Sequence, residues 1–191
     1  TDKKMENEGS ILLGGYDSEG GKLLWCWHLW ITDRPRELSL RNGFSTLDRA
    51  LGAIAADRAS ASNDSPTQNV TAFDGLYYQW GRPTPFKPAS SGVYGAVTRV
   101  PSDPATVSSV EQAIASPTTL YGSSNTAQRD WLSTPNHALW GYRNEHTDLE
   151  KTIYDPCPPG YMVADIRVWQ NIAGYQVAGG YQNGVGVNIS V

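Results

Sequence analysis

Residues 23–32 constrain the fold of this chain more than any other stretch, because they carry apolar side chains at both parities and three tryptophans. In an extended strand Trp25, Trp27, Leu29 and Ile31 share one face while Cys26, His28, Trp30 and Thr32 share the other. A strand with no plainly solvated face belongs in the middle of a sheet or beneath another layer. Ahead of it, Ile11, Leu12 and Leu13 run into Gly14-Gly15-Tyr16-Asp17-Ser18-Glu19-Gly20-Gly21. That sequence of apolar run, turn residues and apolar run is the signature of a β-hairpin.

Composition bounds the partners. At 191 residues the chain suits a single domain, one large enough to bury roughly 70% of the unfolded surface without an obligatory metal or disulfide. With 7 Trp and 10 Tyr against 18% charged residues it is not the composition of a disordered segment. The 15 Lys+Arg are scattered and outnumbered by 19 Asp+Glu, for a net charge of −4, so a nucleic-acid groove is not expected. No apolar run reaches the about 18 residues of a membrane span, so any membrane attachment is expected through an anchor outside this chain. The polar opening Thr1-Asp2-Lys3-Lys4 reads as that of a mature or excised segment.

Along the chain, residues 1–8 form a polar leader. Ser45-Thr46-Leu47-Asp48 reads as a capping box opening a short helix through Leu51 and Ile54. Residues 57–72 form a polar surface loop, and Tyr77, Tyr78 and Trp80 an aromatic strand closed by Gly81-Arg82-Pro83. Residues 83–101 are a long irregular stretch of the kind that often carries function. Asp103-Pro104 caps a helix with Val107, Val110 and Ile114 on one face. A second short helix is expected over 126–132 and strand fragments at 139–141 and 151–154, before the rigid turn Asp155-Pro156-Cys157-Pro158-Pro159-Gly160. From Tyr161 onward the only charges are Asp165 and Arg167, and glycines separate short Val/Ile/Tyr runs, the pattern of a meander.

Few residues offer chemistry. Cys26 and Cys157 lack a Cys or His partner at zinc-site spacing, and spacing alone leaves two separate thiols or a bridge closing a loop of over a hundred residues both open. His137, Glu145, His146, Asp148 and Glu150 form the densest titratable cluster, which reads as a solvated loop. Neither Asp17 to Gly21 nor Asn63-Asp64 completes a calcium loop. No nucleophile elbow occurs, and His28 between two tryptophans reads as a hydrogen-bonded core residue. No catalytic residue, metal or cofactor is therefore assigned. Trp25, Trp27, Trp80, Trp140 and Trp169 lie in apolar runs and read as core. Exposed rings beside amides make a binding face for sugar or protein, and the candidates are Trp131, Tyr175 and Tyr181 with Gln176, Gln182 and Asn183.

Four segments together resemble a known family: Leu24-Trp25-Cys26-Trp27-His28-Leu29-Trp30-Ile31-Thr32-Asp33, Leu47-Asp48-Arg49-Ala50-Leu51-Gly52-Ala53, Gly75-Leu76-Tyr77-Tyr78-Gln79-Trp80-Gly81-Arg82, and Lys151-Thr152-Ile153-Tyr154 running into the Pro-Cys-Pro-Pro-Gly turn. They resemble the C-terminal domain of fimbrillin-like surface proteins of Bacteroidales, related to the Fibrobacter succinogenes major paralogous domain. Ser109 to Ile114, Pro117-Thr118-Thr119, Asp130-Trp131-Leu132 and Leu139-Trp140-Gly141 fit the same order. The resemblance spans residues 9–163. It departs where the family usually has Ser in place of Cys26 and Asn in place of Ala50, and the tail of residues 164–191, rich in Gly and Tyr, is divergent.

The resemblance implies an exported, outer-membrane- or pilus-associated protein at the cell surface, with a fold similar to C-type lectins. The expectation is a single β-rich α+β domain with short helices and long loops, acting as a non-catalytic adhesin or pilus-tip component. Its partners are a glycan, a host or bacterial surface protein, or other pilus subunits. A polysaccharide-acting hydrolase and a purely structural assembly subunit are the competing classes.

Overall fold

The computed structural model describes residues 8–40, 43–56, 72, 75–86, 98–100, 108–122, 130–141 and 150–164. Its longest elements are the strands β1 (Gly9–Tyr16) and β2 (Leu23–Ile31), joined as the antiparallel hairpin expected from their sequence. Leu12 stands opposite His28, Leu13 opposite Trp27 and Gly14 opposite Cys26, and the register slips between Gly15 and Tyr16 at the turn end. The short strands β3 (Glu37–Ser39) and β4 (Ser45–Leu47) form a second antiparallel pair, β5 (Tyr77–Tyr78) and β6 (Pro85–Phe86) a third. A parallel pair joins β7 (Thr98–Val100) to β8 (Thr119–Tyr121). The described protein is thus strand-rich, with one six-residue helix, α1 (Val110–Ala115).

Several local expectations are corrected. Ser45-Thr46-Leu47-Asp48 opens no helix, because Ser45–Leu47 pairs with β3 and Gly52 turns at positive φ. The turn that follows is held by Arg49, whose guanidinium reaches Asp48, Thr32 and Asp33. Burial pushes the Asp48 carboxyl up, but hydrogen bonds from Arg49 and Arg36 outweigh it and hold the group below its ordinary range. The capping box that does form is Ser109 with Gln112: Ser109 Oγ accepts from the Gln112 N–H, and Gln112 Oε1 accepts from the Ser109 N–H at 2.9 Å. The expected cap at Asp103-Pro104 lies outside the described residues. Leu139-Trp140-Gly141 and 151–154 are turns rather than strands, and 130–132 is not helical.

The core gathers Ala113 from α1 with Trp131, Leu132 and Leu139, and Trp80, Val110, Tyr121 and Tyr154 pack on it. Its rings are ordered by polar bonds as well as contact. Trp131 Nε1–H donates to the Trp80 carbonyl at 2.7 Å, Tyr121 stacks on Trp131, and Trp80 meets Trp140 edge to face. Asp155 organises the proline-rich turn: its carboxylate accepts from the Cys157 and Val163 N–H groups and from Lys151 Nζ.

At the centre stands Arg82, 2% exposed. One terminal nitrogen donates to Gln79 Oε1 at 3.1 Å and to the Thr119 carbonyl. The other donates to the carbonyls of Ala113, Ser116 and Pro117. The guanidinium also lies over the rings of Phe86 and Tyr121. Gln79 completes the joint by bonding both the carbonyl and the N–H of Tyr121, so β5 is tied to β8 through a side chain. Burial lowers the Arg82 pKa to about 10, which leaves the group charged at neutral pH. Lysine has no planar fork to reach carbonyls on both sides, so Arg82→Lys is expected to cost about 2–4 kcal/mol. Urea unfolding of the two chains measures this, and a loss under about 0.5 kcal/mol, the range of an ordinary surface change, would show that the fork is dispensable.

Candidate functional site

The hairpin turns its two faces to different surroundings. Cys26, His28 and Trp30 face inward: Cys26 is buried, and Trp30 Nε1–H donates to the Ala53 carbonyl at 2.9 Å. The opposite face carries Trp27, which is 49% exposed, so the expectation that this ring is core is corrected. So is the expectation of a strand without a solvated face. Ile11, Leu13 and Leu29 on this face are exposed as well, Trp25 packs on Tyr154, and among the described residues β1 and β2 pair only with each other.

Two rings lie close over glycines of the hairpin. A Cβ built on Gly15 would come within 3.1 Å of the Trp27 ring, and one built on Gly14 within 3.0 Å of the Tyr16 ring. Glycine at these positions leaves the room each ring takes over the strand. Tyr16 is 59% exposed at the turn end. Beside it Asp17 Oδ1 accepts from the Lys22 N–H at 2.8 Å and from Ser18 Oγ, which fixes the turn and leaves Ser18, Glu19 and Lys22 as exposed polar groups around the ring.

On the inner face His28 links three elements. Its Nε2 lies 2.9 Å from Ser10 Oγ on β1 and its Nδ1 2.9 Å from the Tyr78 hydroxyl on β5. Burial pushes the imidazole down to about 4 and raises the Tyr78 phenol. A neutral imidazole beside a serine hydroxyl has the donor and acceptor arrangement of a nucleophile and its base. A base that titrates near 4 nevertheless holds a captured proton poorly at neutral pH, and the chain Ser10–His28–Tyr78 ties β1 and β2 to β5. This agrees with the reading of His28 as hydrogen-bonded.

Where Arg82, Cys26, Trp25, Val110, Ile114 and Trp131 meet there is a cavity of about 10 Å³, room for one water and not for a sugar ring. Cys26 and Cys157 are free thiols, each pushed up by burial away from the reactive thiolate. Of the titratable cluster, His137 and Glu150 are exposed and the other members lie outside the described residues. Among the described residues no group of three or more His, Cys, Asp and Glu side chains could hold a metal ion.

Trp131 is 3% exposed, with its indole N–H spent on Trp80, and so cannot offer a ring to a ligand. The other expected site residues, Tyr175, Gln176, Tyr181, Gln182 and Asn183, lie outside the described residues, as does Trp169. Tyr16 was not among the expected rings, although a tyrosine inside a glycine-rich hairpin turn is a signal that could have found it. Arg82 carried no comparable signal, since its carbonyl partners come from residues 113–119.

Comparison of the chain with family models, with curated proteins and with solved structures gives no match.

The His28 shift carries a sign. The imidazole binds its proton near 6.5 when unfolded and near 4 when folded, so the contribution is complete above pH 6.5 and is lost as pH falls toward 4. Unfolding midpoints measured between pH 7 and 4 should therefore fall, and His28→Gln should flatten that slope. An unchanged slope would place the acid sensitivity in other groups.

Proposed function

We propose that this protein is a non-catalytic binding module of the bacterial cell surface, an adhesin or pilus-tip component whose ligand is a glycan or a surface protein. The observation that carries the reading is the Tyr16 ring, close over Gly14, more than half exposed and followed by the exposed polar residues of the hairpin turn. A ring held in one orientation supplies apolar contact area at low entropic cost, and the polar groups beside it supply hydrogen bonds to hydroxyls or amides.

The ordered run of motifs in residues 9–163 supports the family part of the reading, including export to the cell surface and a C-type-lectin-like fold. In this reading Tyr175 and Tyr181 with Gln176, Gln182 and Asn183 add rings and amides to the same recognition surface. Asp17, Asp33, Asp48 and Asp155 are bound to hydroxyl, cation or backbone N–H partners that serve the fold, which is consistent with recognition rather than acid/base chemistry.

A glycan array and a panel of extracellular matrix proteins test the ligand class, and failure to bind either set above background would remove the adhesin reading. For a ligand so found, Tyr16→Ala should weaken binding about fivefold, the equivalent of about 1 kcal/mol of ring contact, while Tyr16→Phe stays within about twofold. Equal affinity of the alanine variant and the parent would move the recognition surface away from the hairpin turn.

A further inference from the structure

Among the described elements β1 pairs with β2 and with no other, so its second edge carries no strand there. None of its eight residues is buried, and Ile11, Leu12 and Leu13 at its middle are each between 42% and 52% exposed. Ile11 and Leu13 lie on one face of the hairpin and Leu12 on the other, so apolar surface is open on both sides of one strand. β2 is the strand that meets the core: Cys26 is buried, Trp30 reaches the Ala53 carbonyl, and α1 packs against it. A layer laid over either face of β1 would cover one of the two apolar rows. A strand added along its free edge lies beside both.

An open edge strand is a template for another chain, and proteins that stay apart guard such edges with charge, proline or a bulge. β1 reads Gly-Ser-Ile-Leu-Leu-Gly-Gly-Tyr, without Asp, Glu, Lys, Arg or Pro. Its one irregularity falls between Gly15 and Tyr16, at the turn end, which leaves the apolar middle regular.

The strand is also its own complement. A two-fold axis normal to the sheet sets two copies of β1 antiparallel with like faces on the same side, so residues of equal parity pair. With Leu12 on the axis, Leu12 stands beside the partner's Leu12, and Ile11 beside the partner's Leu13. Moving the axis to Leu13 sets Ile11 against the partner's Gly15 and Leu12 against the partner's Gly14, which loses two of the three apolar matches. No charged side chain of the strand opposes its own copy. Half-exposed side chains of this size offer on the order of 100 Å² each, so the three with the edge backbone bury about 400 Å² per copy, short of the about 800 Å² of a standard interface. The contact is therefore weak and reversible.

We propose that two copies of this protein associate through the β1 edge, antiparallel about a two-fold axis at Leu12, joining two hairpins into one four-stranded sheet. Tyr16 lies at the end of the paired segment, and the pairing stands whether or not a ligand is found there.

Sedimentation of the full chain over a concentration series should show a monomer–dimer equilibrium with its midpoint at about 1–100 µM, the strength of a small interface. Leu12→Lys sets two ammonium groups across the axis and should weaken the dimer at least about tenfold. Leu24→Lys, also at an exposed leucine but on β2, should stay within about twofold of the parent. Both variants should match the parent in circular dichroism, so that loss of the dimer is not loss of the fold. Cysteine substitution reads the register. Residues directly across an antiparallel pair lie about 4.5–5.5 Å apart, within the span of a disulfide, so mild oxidation should join Leu12→Cys chains in pairs and leave Leu24→Cys chains apart. A monomer at every concentration, a dimer indifferent to Leu12→Lys, equal cross-linking of the two cysteine variants, or growth beyond the dimer, which a closed two-fold pairing forbids, would overturn the proposal.

Discussion

The described structure depends on one buried cation. Arg82 sits at the end of the aromatic strand β5 and gathers the carbonyls of Ala113, Ser116, Pro117 and Thr119 around its fork. Those carbonyls belong to the C-terminal end of α1 and to the turn into β8, where a six-residue helix leaves acceptors without intrahelical partners. The guanidinium thus answers a need created by the short helix, and the positive charge suits the negative end of the helix. Among the described residues no carboxylate neutralises it. Its desolvation is offset by five oxygen acceptors and two aromatic faces.

With that joint in place the rest follows in layers. Gln79 copies a strand partner for Tyr121, Tyr121 stacks on Trp131, and Trp131 hands its N–H back to Trp80. The inner face of the hairpin then closes on this core through Cys26, Trp30 and the His28–Tyr78 bond. One face of the hairpin meets the core at Cys26, His28 and Trp30 while its Leu12 and Leu24 stay exposed, and the other leaves Ile11, Leu13, Trp27 and Leu29 outward. Beside Arg82 the core has room for a single water.

How much of this could be read beforehand varies with the range of the interaction responsible. The hairpin was legible, since alternation and a glycine-rich turn are local and both agree with the pairing found. Two capping-box patterns, at Ser45 and at Ser109, look alike over four residues, yet only the second opens a helix. The first lost to pairing with β3 and to the Arg49 bonds with Asp33 and Thr32, which lie more than a dozen positions away. Trp131 sits among polar neighbours and reads as exposed, but its burial comes from Trp80, Ala113, Tyr121 and Leu139. Trp27 has the reverse history, an apolar neighbourhood in sequence and an open side in space.

Period-two alternation determined from sequence alone that Trp25, Trp27 and Leu29 travel together, that Cys26, His28 and Trp30 travel together, and that the chain turns sharply between the strands. The same sequence set the aromatic richness of the first 163 residues and the uncharged character of the tail. Only the tertiary structure decided which hairpin face became the inside, and that Arg82 would be buried among backbone carbonyls. The physical reason is that a strand's two faces are equivalent until something packs on one of them. Here that something comes from Tyr78 on His28 and the Ala53 carbonyl on Trp30, residues far from β2 in sequence.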